Sequence, residues 1–214
     1  MTLSRDSFDI LSFDCYGTLV DWEAGIWGAV QDLGFKQGQF EPSREDVMLA
    51  FSQTEAELEQ ESNLGDFIAY RTILERVFKR LAHQWDWRVS ATDCRQFAES
   101  IKDWPVFEDT VDSLQAFTKD FPLYVLSNID ADLFAITQKK LMVEFAGVLT
   151  ADVVRSYKPA PGHFEMLLKQ TGVPAERILH IAQSRFHDIA PAKALGFKTI
   201  WLDRQGGISL RTKV

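Results

Sequence analysis

Apolar and polar positions change rhythm twice along this chain. Residues 8–14 form a short, nearly continuous apolar run that stops on an acid, Asp14, and breaks soon after at Gly17-Thr18. A run this short, bounded by turn residues, predicts a buried strand. From residue 22 to residue 102 the spacing is helical, with no strand signal. Trp22, Ile26, Trp27, Val30 and Leu33 predict a helix over 22–33, with Asp21 as its N-cap and Gly34 as its end. After a loop over 35–42, Ser43 with Asp46 three residues on predicts the start of a long second helix. Two more helices are predicted over 65–85 and 91–102.

Beyond Trp104-Pro105 the apolar runs return, at 123–128, 148–150, 178–182 and 198–202. Helical stretches at 109–119, 131–140, 161–171 and 188–195 separate them. This alternation predicts an α/β fold with a doubly wound parallel sheet, Rossmann-like in its winding. The first strand finds no partner among the helices and must join that sheet. The expected organisation is discontinuous: a core made of residues 1–20 and 105–214, with a helical cap, residues 21–104, inserted after the first strand.

The 214 residues are 46% hydrophobic, enough for a sizeable core, and carry a net charge of -8. That balance speaks against nucleic acid or an anionic membrane surface as partner and leaves a small-molecule substrate. No apolar run reaches the roughly 18 residues of a membrane span. Met1–Ser7 is polar and too short for a signal peptide, and Cys15 and Cys94 form neither a metal-ligand spacing nor a disulfide framework, so a cytoplasmic location with reduced thiols is expected. Cys15 reads as a small buried hydrophobe. Trp22, Trp27, Phe51 and Phe67 are expected to pack helices, with one or two walling an apolar pocket; so many aromatics could also support a homodimer. The acidic run Glu55–Glu61 is expected to be a solvated helix face.

Asp14, Thr18, Ser127, Asn128, Lys158 and Asp188 all fall at or just after strand ends. Parallel strands share one carboxyl edge, so these scattered residues are expected to converge there. Asp14 suits a nucleophile, Lys158 the cation that holds it ionised and aimed, and the hydroxyls of Thr18 and Ser127 the stabilisation of a developing anion. Asp188 would position Lys158 or assist a water. Each residue also has a structural role open to it, such as capping a following helix.

In order along the chain, Asp14-Cys15-Tyr16-Gly17-Thr18-Leu19, Ser127, Lys158 in Tyr157-Lys158-Pro159-Ala160-Pro161, and Asp188 resemble the four motifs of the haloacid dehalogenase superfamily. The resemblance implies a nucleophilic Asp14. The superfamily's phosphatases place a second aspartate where Tyr16 stands and an acidic metal ligand where Gln183 stands. A phenol of pKa about 10 is a poor proton donor near neutrality. The chain thus resembles the (S)-2-haloacid dehalogenase branch, whose halide leaving group needs neither proton nor metal, and no cofactor is implied. In that picture Asp14 attacks C2 of a 2-haloacid and forms an ester that water hydrolyses, with Lys158, Asp188, Thr18 and Ser127 assisting. Tyr16, Asn128, Ser184 and Arg185 would line or hold the substrate.

The pattern also departs from that branch. Where a cap arginine is expected stands Ala50-Phe51-Ser52, leaving Arg44, Arg71 or, from the core side, Arg185 to supply the charge. Phe164 replaces a tyrosine six residues after the lysine, and Arg185 replaces an asparagine. Hydrolysis of another small carboxylate or a phosphate ester, or a catalytically idle ligand-binding member, are the alternatives.

Overall fold

In the computed structural model, residues 5–36, 38 and 42–204 are described. Half of the 35–42 loop and the last ten residues of the expected core segment lie outside them. The sheet has five parallel strands in the order β3-β2-β1-β4-β5. They are β1 (Ile10–Phe13), β2 (Leu123–Ser127), β3 (Gly147–Thr150), β4 (Ile178–Ala182) and β5 (Lys198–Trp201). The first strand is the central one. Phe13 registers with Val125 on one side and Ile181 on the other. The chain winds outward from β1 in both directions, so the crevice beside its carboxyl end is the topological switch point.

Every residue of β1 is buried, as expected of a parallel strand covered on both faces. Its side chains alternate between two apolar layers: Leu11 and Phe13 belong to one, Ile10 to the other. The Ile10 layer is closed by Phe164 and Leu167 of α8 (Gly162–Thr171) and Ala192 of α9 (Ala190–Ala194). The Leu11 layer takes Leu114 of α5 (Thr110–Phe117) and Leu133 and Phe134 of α6 (Ala131–Leu141), and runs on without a break into the inserted helices.

Those helices are α1 (Trp22–Phe35), α2 (Arg44–Leu64), α3 (Tyr70–Gln84) and α4 (Ala91–Glu99). A short α7 (Ala151–Val154) completes the set described. Where the chain leaves β1 and where it returns, the two segments run antiparallel: Val20 bridges Val106, and the Asp21 amide donates to the Pro105 carbonyl at 2.8 Å. Asp21 caps α1 and Ser43 caps α2, as their side chains predict.

Among the helix ends that differ from the sequence expectation, two have a packing or capping reason. Gly34 does not end α1; it lies inside the helix, where a Cβ would come within 2.5 Å of the Trp87 ring. The glycine is there for close packing, not for a turn. The third helix starts at Tyr70 rather than near residue 65, because Ala69 has no capping oxygen and the cap comes from the sheet. The Asp130 carboxylate, in the loop after β2, accepts from the amides of Tyr70 and Arg71, each at 2.9 Å.

A pair of substitutions in α1 tests this packing. A Cβ on Gly25 would lie 2.2 Å from the Trp104 ring, whereas Gly28 has open space around it. Gly25→Ala is expected to lose about 1–3 kcal/mol to overpacking despite alanine's better helix propensity. Gly28→Ala is expected to gain about 0.4–1 kcal/mol. Urea denaturation midpoints of the two variants should therefore move in opposite directions.

Candidate active site

The turn after β1 aims Asp14. Gly17 sits at φ 95°, a left-handed conformation that a side chain would strain, and the Thr18, Leu19 and Val20 amides all donate to the Cys15 carbonyl. This turn folds Thr18 back over the strand end, so its hydroxyl donates to Asp14 Oδ2 at 2.6 Å. Thr18 Oγ1 in turn accepts from the Gln183 amide at 3.0 Å, tying β1 to the end of β4.

Lys158 reaches the other Asp14 oxygen. Its ammonium donates to Asp14 Oδ1 at 2.9 Å, to Asp188 Oδ1 at 2.6 Å and to the Leu126 carbonyl at 2.8 Å. All three N–H bonds of the ammonium are then used, which suits a charge that is 1% exposed. Asn128 holds the lysine backbone in place: its Oδ1 accepts from the Lys158 amide and its Nδ2 donates to the Lys158 carbonyl. Asp188 Oδ1 also accepts from His180 Nε2 at 3.1 Å, and that ring packs edge-on against Phe164. Asp188 Oδ2 and Ser127 Oγ are buried with no hydrogen-bond partner among the described residues.

The charges follow from this geometry. Burial opposes ionisation of Lys158, but the two carboxylates outweigh it and push the lysine above its ordinary value. Burial would raise Asp188 too, yet Lys158 and His180 hold it below the usual carboxylate range. Asp14 is raised, by burial and by the neighbouring Asp188 charge, against the pull of Lys158 and Thr18. Of the two acids sharing the ammonium, Asp188 is the firmly ionised one.

A cavity of about 170 Å³ opens over Asp14. Tyr16, Ser127, Asn128, Lys158, Ser184 and Asp188 all line it. Their roles differ from the expectation at three points. The Tyr16 hydroxyl is taken by Thr137 Oγ1 of α6 at 2.8 Å. The Asn128 amide is committed to the lysine backbone and to Glu59, not to a substrate carboxylate. Ser184 caps the turn of a π-helix at Arg185–Ile189 by accepting from the His187 amide. That cap also removes Asp188 from the N-cap role considered for it. Arg185 is exposed and stacks on the Trp201 ring, 3.7 Å from its centroid, so it does not supply a charge to the cavity. Arg44 and Arg71 are paired elsewhere, with Glu23 and Asp132.

What the helical segment does send into the cavity is acid. Glu55 and Glu59 of α2 both line it, correcting the expectation that this run is a solvated face. Glu59 is 6% exposed and accepts from Asn128 with both oxygens, at 3.1 and 3.2 Å. Glu55 is half-buried and accepts from the Tyr70 hydroxyl. Burial pushes Glu55 up to about 7 and raises Glu59 well above the usual carboxylate range, the second also by repulsion from Glu55. The sequence does carry a signal for this. Glu55 and Glu59 share a helical phase with the buried Phe51, Leu58 and Ser62, whereas Glu57 and Glu61 pair with arginines at the surface. Trp22 walls the cavity, joined by Tyr70 and Trp104, while Trp27, Phe51 and Phe67 are not among its lining residues.

The donor set does not fit a divalent metal. Lys158 Nζ stands between the two core carboxylates, and no group of three or more His, Cys, Asp and Glu side chains converges for metal among the described residues.

Two stability measurements check these charges. Lys158→Ala leaves two buried carboxylates without their cation and is expected to cost about 3–5 kcal/mol near neutral pH. The unpaired acids then have folded pKa values above their unfolded ones of about 4, so the deficit should shrink as pH falls toward 4 in urea titrations. Glu55 has a raised folded value of about 7, so its contribution to stability is lost as pH rises from its unfolded value through 7. Glu55→Gln is therefore expected to raise the urea midpoint at pH 8 and to change it little at pH 4.

Residues 8–196 match the family model for haloacid dehalogenase-like hydrolases. A curated relative, (S)-2-haloacid dehalogenase 2 of Pseudomonas sp. (strain CBS-3), is 25% identical over 202 residues, covering 90% of this chain and 82% of that protein. Haloacid dehalogenase-like hydrolase domain-containing protein 3 of Danio rerio is 30% identical over 108 residues, covering 50% of this chain and 45% of that protein. Among solved structures, an L-2-haloacid dehalogenase superposes with a TM-score of 0.82 at 22% identity, covering 97% of this chain and 92% of the other. With the parallel sheet, the switch-point crevice and the match over most of its length, this chain belongs to the haloacid dehalogenase-like hydrolases.

Proposed function

We propose that this hydrolase breaks a carbon–halogen bond in a small substrate through an ester on Asp14, with residues 21–104 acting as a cap over the core. An Asp14 oxygen attacks the carbon as the halide leaves with the bonding electron pair. Water then adds to the Asp14 carboxyl carbon, the ester bond breaks, and the alcohol product, halide and one proton are released. The names of the relatives support a short 2-haloalkanoic acid as the starting class of substrate, giving a 2-hydroxy acid.

One observation carries this reading. Asp14 is bound by an ammonium and a hydroxyl, while Tyr16, at the position where a second acid would stand, has its hydroxyl engaged by Thr137 and its pKa pushed well up by burial. The nucleophile is held in place, and Tyr16, two residues after it, is not suited to protonate a leaving group. Displacement of halide needs no such proton. Asp188 Oδ2, buried and without a partner among the described residues, supports a role in orienting the hydrolytic water. Its low pKa makes it an orienting group rather than a strong base.

The test is a single turnover in ¹⁸O-water on small organochlorides, 2-chloropropionate among them, with chelator present. The expected result is halide release with the label entering the Asp14 carboxylate rather than the first-turnover product, and loss of release by at least 10³-fold in Asp14→Asn. Label appearing directly in the product, or phosphatase activity on magnesium addition with no halide release from any chloride, would overturn it.

A further inference from the structure

Lys158 reaches Asp14 from a loop, not from a strand or a helix. The segment between α7 and α8 carries it, and a loop places a side chain accurately only when its own backbone is fixed. Two successive peptides of this loop are fixed in the same manner, each by one asparagine. Asn128, after β2, spans the amide and the carbonyl of Lys158. Asn63, in the last turn of α2, spans the amide and the carbonyl of Tyr157. Its Oδ1 accepts from the Tyr157 amide at 2.8 Å and its Nδ2 donates to the Tyr157 carbonyl at 3.0 Å. The sheet edge holds the lysine, and the inserted helices hold the residue before it.

We propose that Asn63 is a positioning residue for Lys158. Through the Tyr157 peptide it registers the ammonium between Asp14 and Asp188, so that the inserted helices as well as the sheet set the geometry in which Asp14 attacks. Only the kinetic consequence rests on the ester chemistry proposed above; the positioning of Lys158 stands on the contacts themselves.

The inserted segment grips Tyr157 by its side chain as well. The Tyr157 hydroxyl donates to the Ile68 carbonyl at 2.6 Å, and its buried ring stacks on Phe67, with centroids 5.4 Å apart and planes 10° from parallel. The Ile68 amide donates in turn to Ser62 Oγ of α2 at 2.8 Å, so the loop that holds the ring is tied to the helix that holds the backbone. Glu59, four residues before Asn63 and on the same face of α2, accepts from the Asn128 amide. Helix α2 therefore reaches the lysine segment twice, directly through Asn63 and by way of Asn128 through Glu59. Asn63 is exposed and is not among the residues lining the cavity, so its replacement removes the clamp without opening the core or altering the pocket wall. A small retreat of the ammonium matters, because a misplacement of about 1 Å at a reacting centre can cost about 10²-fold in rate.

Three variants test it. Asn63→Ala removes both bonds to the Tyr157 peptide, Asn63→Asp keeps the acceptor for its amide, and Leu64→Ala, at the exposed neighbouring side chain, is the control. Each is checked for folding by urea titration. Two quantities are read: steady-state halide release from 2-chloropropionate, and a ¹³C NMR titration of the Asp14 carboxyl, assigned with Asp14→Asn. In Asn63→Ala, kcat is expected to fall about tenfold or more with KM within about threefold of wild type. The Asp14 titration is expected to move to higher pH, because a retreating ammonium favours the carboxylate less. Asp188 and Thr18 also face Asp14, but His180 and the Gln183 amide anchor them rather than α2, so the shift reports the ammonium. Asn63→Asp should recover part of both effects, and Leu64→Ala should show neither. An unmoved Asp14 titration in the folded Asn63→Ala protein, or equal losses in Asn63→Ala and Leu64→Ala, would overturn the proposal. Halide release by the wild type with kcat unchanged in Asn63→Ala would sink the positioning role and leave the ester chemistry standing. A shifted Asp14 titration in Asn63→Ala, with no halide release from any chloride by the wild type, would do the reverse.

Discussion

The structure depends on one buried ammonium. Lys158 joins the ends of β1 and β2 and the π-turn after β4 by donating to Asp14, Leu126 and Asp188. Two carboxylates this close to the same point would repel each other out of a dry site; a cation between them makes the arrangement tenable. The same contact that stabilises the sheet edge aims Asp14, the proposed nucleophile. Stability and chemistry share the bond, and the backbone clamp from Asn128 serves both.

Around that ammonium the charges are graded by their partners. Asp188 has the lysine and His180 and stays ionised; Asp14 has the lysine and a hydroxyl; Glu59 has an amide and, at 3.9 Å, the His187 ring; Glu55 has a phenol. Ionisation becomes harder as formal positive charge recedes. The pocket therefore grows more proton-hungry from the core toward the inserted helices.

Much of this was legible in the residue order. Period and length gave away the parallel sheet and the helical insertion, because buried parallel strands must be apolar and surface helices must be amphipathic. Asp14, Lys158 and Asp188 stood out because charged residues next to apolar strand ends have few structural uses. Arg185 misled, because an arginine near a motif says nothing of its direction; here it lies flat on Trp201. Gly34 misled in the same way, since a glycine can mark a turn or a close approach, and only the position of Trp87 separates the two.

The sequence by itself determined the fold class and the pairing of a strand-end acid, Asp14, with the lysine that binds it, since these follow from local periodicity and from which side chains can be buried together. The tertiary structure alone decided what faces what across the cavity. Glu55 and Glu59 enter the site because α2 is rotated by its Phe51 and Leu58 packing, and α3 begins where it does because Asp130, 60 residues away from Tyr70, caps it. Such contacts join residues far apart in sequence, and no local pattern specifies them.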